Sequence, residues 1–307
     1  MTASAPHCIP AVGYTQAPAT RLASMIRTDS PAGCRVGLIG LADDLGVRLN
    51  SGRPGAANAP DAIRHALCRY GVAEPAGWDY PTIFDAGNIE PATGDDALAL
   101  ATTHTRISAA VTWMLEQGLF PIALGGGHDL TFPFVRAVIR HAAATAPIEQ
   151  GLYFDAHLDV RDSVGSGMPF RCLIEQCGVR ALSLVGFNPL VNTREHVAWF
   201  AGNGGRFIEC PRELLTNAAS PLFVSLDMDV LDAAFAPGVS ALNPAGLSPT
   251  QLTPMIEAAG ACPAVACFDI MEHCPAHDVD GRTARIAAHM LLSFLRGFSH
   301  RPIGGSQ

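Results

Sequence analysis

The segment Asp155-Ala156-His157-Leu158-Asp159 carries three ionisable side chains at i, i+2 and i+4. On an extended chain all three project to one side, because strand side chains alternate faces. An apolar run, Gly151-Leu152-Tyr153-Phe154, leads directly into it, and Arg161 and Asp162 follow. The same pattern recurs twice: Pro121-Ile122-Ala123-Leu124 runs into Gly125-Gly126-Gly127-His128-Asp129, and Leu222-Phe223-Val224 runs into Ser225-Leu226-Asp227-Met228-Asp229-Val230-Leu231-Asp232. Standing alone, a DxD at a strand end is an ordinary solvated turn and GGGHD a flexible loop. Three acid and histidine clusters at three strand ends have a different meaning, since sites in open parallel sheets form at the carboxyl ends of the strands.

Gathering Asp155, Asp159, Asp227 and Asp229 in one cleft is costly without counter-charge: at an effective dielectric of about 20, each pair about 4 Å apart repels by roughly 4 kcal/mol. Two divalent cations would neutralise the four carboxylates, with His128 and His157 supplying neutral nitrogens. A ligand set rich in oxygen and free of cysteine suits Mn²⁺ better than structural Zn²⁺, while Mg²⁺, Fe²⁺, Co²⁺ and Ni²⁺ are compatible by ligand type.

The elements that must position these residues are legible as short apolar runs bounded by Gly, Pro, Asn or Asp. Strands are expected at 35–41, 82–86, 121–124, 152–155, 181–186, 206–209, 222–226 and 264–270, and several lack the polar alternation of a half-exposed strand. Helices are expected at 60–70, with Pro60 and Asp61 in the first turn, and at 95–117, 131–144, 248–259 and 284–295. Strands alternating with helices predict a three-layer α/β/α sandwich around a mainly parallel sheet of eight strands. With 307 residues and no Ser/Gly linker or repeat, residues 31–307 read as one domain and residues 1–30 as an arm that wraps it or a neighbouring subunit.

Composition excludes several classes of partner. A formal net charge of −8 disfavours nucleic acid and anionic membranes, both of which reward a basic surface. Nine cysteines without a CxxC pair read as free thiols in a reducing compartment. With neither a leader-like N-terminus nor an apolar run of membrane-spanning length, the expected location is the cytoplasm.

The motifs GGGHD (125–129), DAHLD (155–159), SLDMDVLD (225–232) and FDIMEHCP (268–275) resemble those of the ureohydrolases, a family of arginases, agmatinases, guanidinobutyrases and formimidoylglutamases. SGRPGAANAPDAIR (51–64) and DAGNI (85–89) resemble further family segments, so the likeness covers the chain from about residue 35. It implies an arginase-like fold, trimers or hexamers, and two Mn²⁺ per subunit. One ion would be held by His128, Asp155, Asp159 and Asp227, the other by Asp155, His157, Asp227 and Asp229. It also implies catalytic roles for Glu272, which would pair with the amidine nitrogens of a small substrate, and for Asp159, which would pass a proton to the leaving amine.

Within the family, arginases and agmatinases carry a catalytic histidine in the loop after DAHxD, but here that loop reads GSGMPFRC (165–172). SGMPF, DAHLDVR and APGVSA (236–241) are similar to formimidoylglutamases, whereas ALNPAG (241–246) and Asp232 are closer to agmatinases. Arg161, two residues past the last ligand of its segment, would meet a substrate carboxylate in a bidentate pair. The implied reaction is cleavage of N-formimidoyl-L-glutamate to glutamate and formamide. Its rivals are a guanidino-acid or agmatinase-like hydrolase releasing urea, and a non-catalytic member serving as an assembly subunit. His273, where the family commonly has an apolar residue, has no role on sequence grounds.

Overall fold

In a computed structural model of the chain, residues 4–11, 14, 17–71, 73 and 80–302 are described. Nine strands lie among them: β1 (Cys8–Ile9), β2 (Val36–Gly40), β3 (Ile83–Ile89), β4 (Phe120–Leu124), β5 (Gln150–Phe154), β6 (Ala181–Val185), β7 (Gly205–Phe207), β8 (Leu222–Asp227) and β9 (Val265–Met271). They form one sheet in the order β1-β3-β2-β4-β9-β8-β5-β6-β7. Every pairing is parallel except that of β1 with β3.

The helices are α1 (Leu45–Leu49), α2 (Ala59–Leu67), α3 (Ala97–Glu116), α4 (Thr131–Ala142), α5 (Pro169–Cys177), α6 (Arg194–Gly202), α7 (Arg212–Thr216), α8 (Pro249–Ala261) and α9 (Arg282–Ser299). Their starts follow from local chemistry. Asp96 accepts a hydrogen bond from the Ala99 N–H at the head of α3. Ser248 and Gln251 form a reciprocal capping box at the head of α8, satisfying two donors that the first turn would otherwise leave orphaned.

Burial explains the missing alternation in the strands. Leu38, Leu124, Leu152, Phe154, Val224, Leu226, Phe268 and Ile270 face one apolar layer shared with α2, α8 and α9. The residues between them, including Ile39, Ala123, Tyr153, Phe223, Cys267 and Met271, face a second layer shared with α3, α4, α5 and α6. Both faces are dry, so both are written in apolar residues.

The sheet has nine strands rather than the expected eight, because β1 adds an antiparallel edge through Cys8↔Ile89 and Ile9↔Asn88. A strand of two residues has no periodicity to read; it is defined by its partner. Gly87, at φ +93°, admits the close approach of Ile9, whose carbonyl a side chain at residue 87 would strike. Elsewhere in residues 1–30, Ala5, Tyr14, Leu22, Ala23 and Ile26 are buried, while residues 1–3, 12, 13, 15 and 16 lie outside the described set. Helices α1, α5, α6 and α7 are additional to those expected. Two of them have only five residues, too few to show a period, whereas Pro169 at the start of α5 is a recognisable start signal.

The PDAIR and DAGN segments form a buried ionic lock. Arg64 is fully buried and meets Asp85 twice, Nε to Oδ2 and Nη2 to Oδ1, both at 2.8 Å. It also donates to Asn88 Oδ1 and, at 3.1 Å, to the Gly87 carbonyl. The Tyr14 hydroxyl donates to Asp85 Oδ2 at 2.6 Å. Helix α2, strand β3 and the N-terminal segment are thereby fixed to one another. No helix among the described residues is long and apolar enough to cross a membrane.

Candidate metal centre

The strand order decides where the acidic motifs go. Strands β4, β9, β8 and β5 are consecutive neighbours and parallel, so the segments that leave their carboxyl ends emerge side by side. These are GGGHD, the Glu272 turn, DMD and DAHLD. At Gly126 the backbone turns with φ +137°, and a side chain there would collide with the carbonyls of Leu41 and Asp43. That tight turn delivers His128 into the cleft.

His128 Nδ1 lies 3.2 Å from Asp155 Oδ2, 2.9 Å from Asp159 Oδ2 and 3.1 Å from Asp227 Oδ2. His157 Nδ1 lies 3.0 Å from Asp229 Oδ2 and 3.4 Å from Asp155 Oδ1. Two groups result, His128 with Asp155, Asp159 and Asp227, and His157 with Asp155 and Asp229, each having its candidate ligand atoms within 4.8 Å of one another. Asp155 contributes one oxygen to each. Asp227 falls in the first group, and its Oδ1 accepts from the Asp229 N–H at 2.7 Å, as Asp155 Oδ1 does from the His157 N–H at 2.6 Å.

The donor atoms fit cations. His128 Nε2 lies 3.0 Å from the Ser225 hydroxyl, which itself donates to Asp269 Oδ1 at 2.5 Å. The Ser225 hydrogen is therefore committed to Asp269, and Nε2–H must be the donor to Ser225. In the neutral ring this leaves the Nδ1 lone pair facing three carboxylate oxygens. Neither Nδ1 nor Asp155 Oδ2 makes a well-aligned hydrogen bond, although both are buried. Atoms so close yet misaligned converge on a common point, as ligands of one ion do.

Electrostatics agree. Burial lowers the His128 pKa, but Asp155, Asp159 and Asp227 outweigh it and raise the value well above that of an ordinary histidine. Burial, reinforced by the neighbouring Asp159 and Asp229, pushes Asp155 up to about 6. Burial with Asp229 and Asp155 raises Asp227 well above the carboxylate range. Asp229 is lowered, because His157 overcomes the effect of its burial. Protons thus take up the excess negative charge, a task that a dication performs better.

Glu272, at the end of β9, is buried at φ +64°, a backbone conformation that side chains other than glycine rarely adopt. Its Oε1 accepts from the His128 N–H at 2.7 Å and its Oε2 from the Ser240 hydroxyl. Burial raises it to about 7, against the lowering effect of those two donors. Asp159 also has positive φ, +47°. Arg161 is exposed, and its guanidinium makes no hydrogen bond or ion pair among the described residues. It lines a cleft of about 120 Å³ together with His157, Asp159, Asp229, Ser240 and Glu272.

Several supporting residues are not apparent from the sequence. Ser225 and Asp269 orient His128 through the relay from Nε2. Asn192 braces the DAHLD segment, accepting from the Leu158 N–H at 3.0 Å and donating to the Ala156 carbonyl at 2.8 Å. Asn243 donates to the Asp229 carbonyl at 3.1 Å. A usable signal exists for Asp269, an acid in the middle of the apolar strand β9, where it is fully buried. His273 is also fully buried and donates from Nδ1 to the Gly238 carbonyl at 3.1 Å, which makes it a brace for that loop.

Comparison with known proteins gives a consistent picture. The model of the arginase family matches residues 34–296. A formimidoylglutamase of Hahella chejuensis is 35% identical over 300 residues, 89% of this chain and 88% of that protein. One of Rhodococcus jostii is 34% identical over 275 residues, 83% of each. Among solved structures, a formiminoglutamase of Trypanosoma cruzi crystallised with Mn²⁺ superposes with a TM-score of 0.80 at 28% identity, covering 92% of this chain and 99% of that one. Proclavaminate amidino hydrolase of Streptomyces clavuligerus gives 0.77 at 26% identity, covering 95% and 97%.

Proposed function

Because the chain belongs to the arginase family, we propose that it is a binuclear-manganese hydrolase cleaving N-formimidoyl-L-glutamate to L-glutamate and formamide. The observation that carries this reading is the pair of ligand groups sharing Asp155 beside Glu272, in a chain similar to formimidoylglutamases over most of its length. His128, Asp155, Asp159 and Asp227 would hold one ion and His157, Asp155 and Asp229 the other, with Asp227 as a further shared ligand. Bound there, two dications supply the Lewis acidity that brings the pKa of a water molecule near neutrality.

The side chains do the rest. Glu272 pairs with the cationic formimino nitrogens and holds the amidine carbon over the centre. Water adds to that carbon, the bond to the glutamate nitrogen breaks, and Asp159 passes the proton that the leaving amine needs. This role falls to Asp159 because the loop 165–172 offers no histidine. Arg161, with no partner of its own among the described residues, takes a substrate carboxylate.

The chain acts as one catalytic domain, residues 31–307 preceded by an arm, in a cytoplasmic trimer or hexamer. Exposed Leu190, Val191, Phe235 and Leu242 support burial of some surface between subunits.

The decisive test incubates Mn²⁺-loaded protein with N-formimidoyl-L-glutamate, 4-guanidinobutyrate, agmatine and arginine, and assays formamide and urea. Formamide from the first substrate alone is expected. Urea from a guanidino acid would select the second reading, which the likeness to an amidino hydrolase favours. Turnover of none would leave the assembly-subunit reading. Arg161→Ala is expected to raise KM for the acidic substrate by roughly tenfold or more, the worth of hydrogen bonds to a charged group, with little change in kcat.

A further inference from the structure

Three loops meet at Glu272, and one of their side chains takes no part in the proposed reaction. The Ser240 hydroxyl donates to Glu272 Oε2, and Ser240 lines the same cleft as Glu272. The segment carrying Ser240 is fastened from two directions. Arg53, half-buried, donates from Nη2 to the Val239 carbonyl at 2.6 Å and from Nε to the Ser240 carbonyl at 2.9 Å. On the other side, His273 Nδ1 and the Cys274 N–H both donate to the Gly238 carbonyl, at 3.1 and 2.7 Å, and Val239 bridges His273 in antiparallel fashion.

Glutamate has three side-chain torsions, and the Glu272 carboxylate shares its cleft with the like-charged Asp227 and Asp229, so nothing in that charge holds it in one rotamer. The His128 N–H restrains Oε1, and something must restrain Oε2. A hydroxyl suits that task. It donates one hydrogen bond, leaves the remaining lone pairs of the carboxylate free for the substrate, and brings no positive charge to compete with an amidinium, as Lys or Arg would.

We propose that Ser240 is a positioning residue for substrate binding: held by the Arg53 clamp on its own carbonyl and that of Val239, it fixes the Glu272 carboxylate in the rotamer that receives the amidine. This rests on the reading of Glu272 as the amidine-binding group. Arg53 acts one step further back, through the loop.

The test measures competitive inhibition by acetamidinium ion, together with KM and kcat, on the Mn²⁺-loaded enzyme. Ser240→Ala is expected to weaken acetamidinium binding by roughly tenfold or more, the loss of a hydrogen bond to a charged group. KM should rise in parallel, with metal content and melting temperature unchanged, and Ser240→Thr should restore binding. In a Glu272→Gln background Ser240→Ala should have little further effect, because the two residues act as a unit. Arg53→Met should weaken binding in the wild-type background and not in Ser240→Ala. Wild-type acetamidinium affinity in Ser240→Ala, or the same loss with and without Glu272→Gln, overturns the proposal. If Glu272→Gln by itself leaves acetamidinium binding unchanged, the reading of Glu272 fails, and the proposal with it.

Discussion

His128 shows how little a single residue decides. Its type supplies a nitrogen that could hold an ion, but its tautomer is set by Ser225 and Asp269, two side chains outside the candidate ligand groups. Partners of this kind typically contribute roughly 10- to 100-fold in metal affinity. Ser225→Ala is therefore expected to weaken Mn²⁺ binding at the first group by about that factor while the second group is largely spared, as read by titration of metal-free protein with Mn²⁺. Two equally strong sites in the variant would show that His128 needs no orienting partner. Asp159 and Glu272 carry the other residue-scale signature, positive φ at side chains that disfavour it. Strain of about 1–3 kcal/mol at such positions persists only where the surroundings impose it.

Among the elements, α2, β3 and the N-terminal segment depend on one another through Arg64. The guanidinium, the Asp85 carboxylate and the Tyr14 hydroxyl satisfy each other with no access to water. Burial and the charge of Asp85 both hold the Tyr14 phenol well above its usual range, so it stays a donor at any physiological pH. Such a lock adds little net stability when complete, but removing one member strands a buried charge at a cost of about 3–5 kcal/mol. Arg64→Met should lower the melting temperature by many degrees, and Arg64→Met combined with Asp85→Leu should recover much of the loss. Equal destabilisation in the single and double variants would mean that the packing of Arg64, not its charge, matters.

For the molecule as a whole, the centre couples folding to metal and to pH. Metal-free, Asp155 and Asp269 sit at about 6 and Glu272 at about 7, all raised chiefly by burial, and His128 is raised as well. Between the ordinary carboxylate range and those values, the folded state binds more protons than the unfolded one. Stability of the chelated protein must therefore fall as pH rises through that window. The lowered pKa of Asp229 works the other way below the window, and His273 and His289, lowered by burial, work the other way within it, but the raised groups outnumber them. Chelated protein should melt higher at about pH 5 than at about pH 7.5, and Mn²⁺ should stabilise it most at the higher pH, where protons no longer compete for the ligands. Thermal melts with EDTA and with Mn²⁺ measure both, and a chelated protein that melts higher at the alkaline end would contradict the proton count.

Much of this was written in the chain itself. His128, Asp155, His157, Asp159, Asp227 and Asp229 were legible as candidate ligands because a ligand's chemistry belongs to its type, and because spacing within a strand end fixes which side chains share a face, whereas Glu272 stood out only through the family resemblance. Eight of the nine strands were legible because burial on both faces leaves an apolar run. The adjacency of β4, β9, β8 and β5 was not local. Nor were the Ser225–Asp269 support of His128, the Ser240 contact with Glu272, the Arg64 lock or strand β1. Each joins residues tens to hundreds of positions apart, and a hydrogen bond across such a separation leaves no periodicity in the sequence. Only the packing of the sheet brings those partners within reach, so only the tertiary structure could turn a set of ligands into a centre.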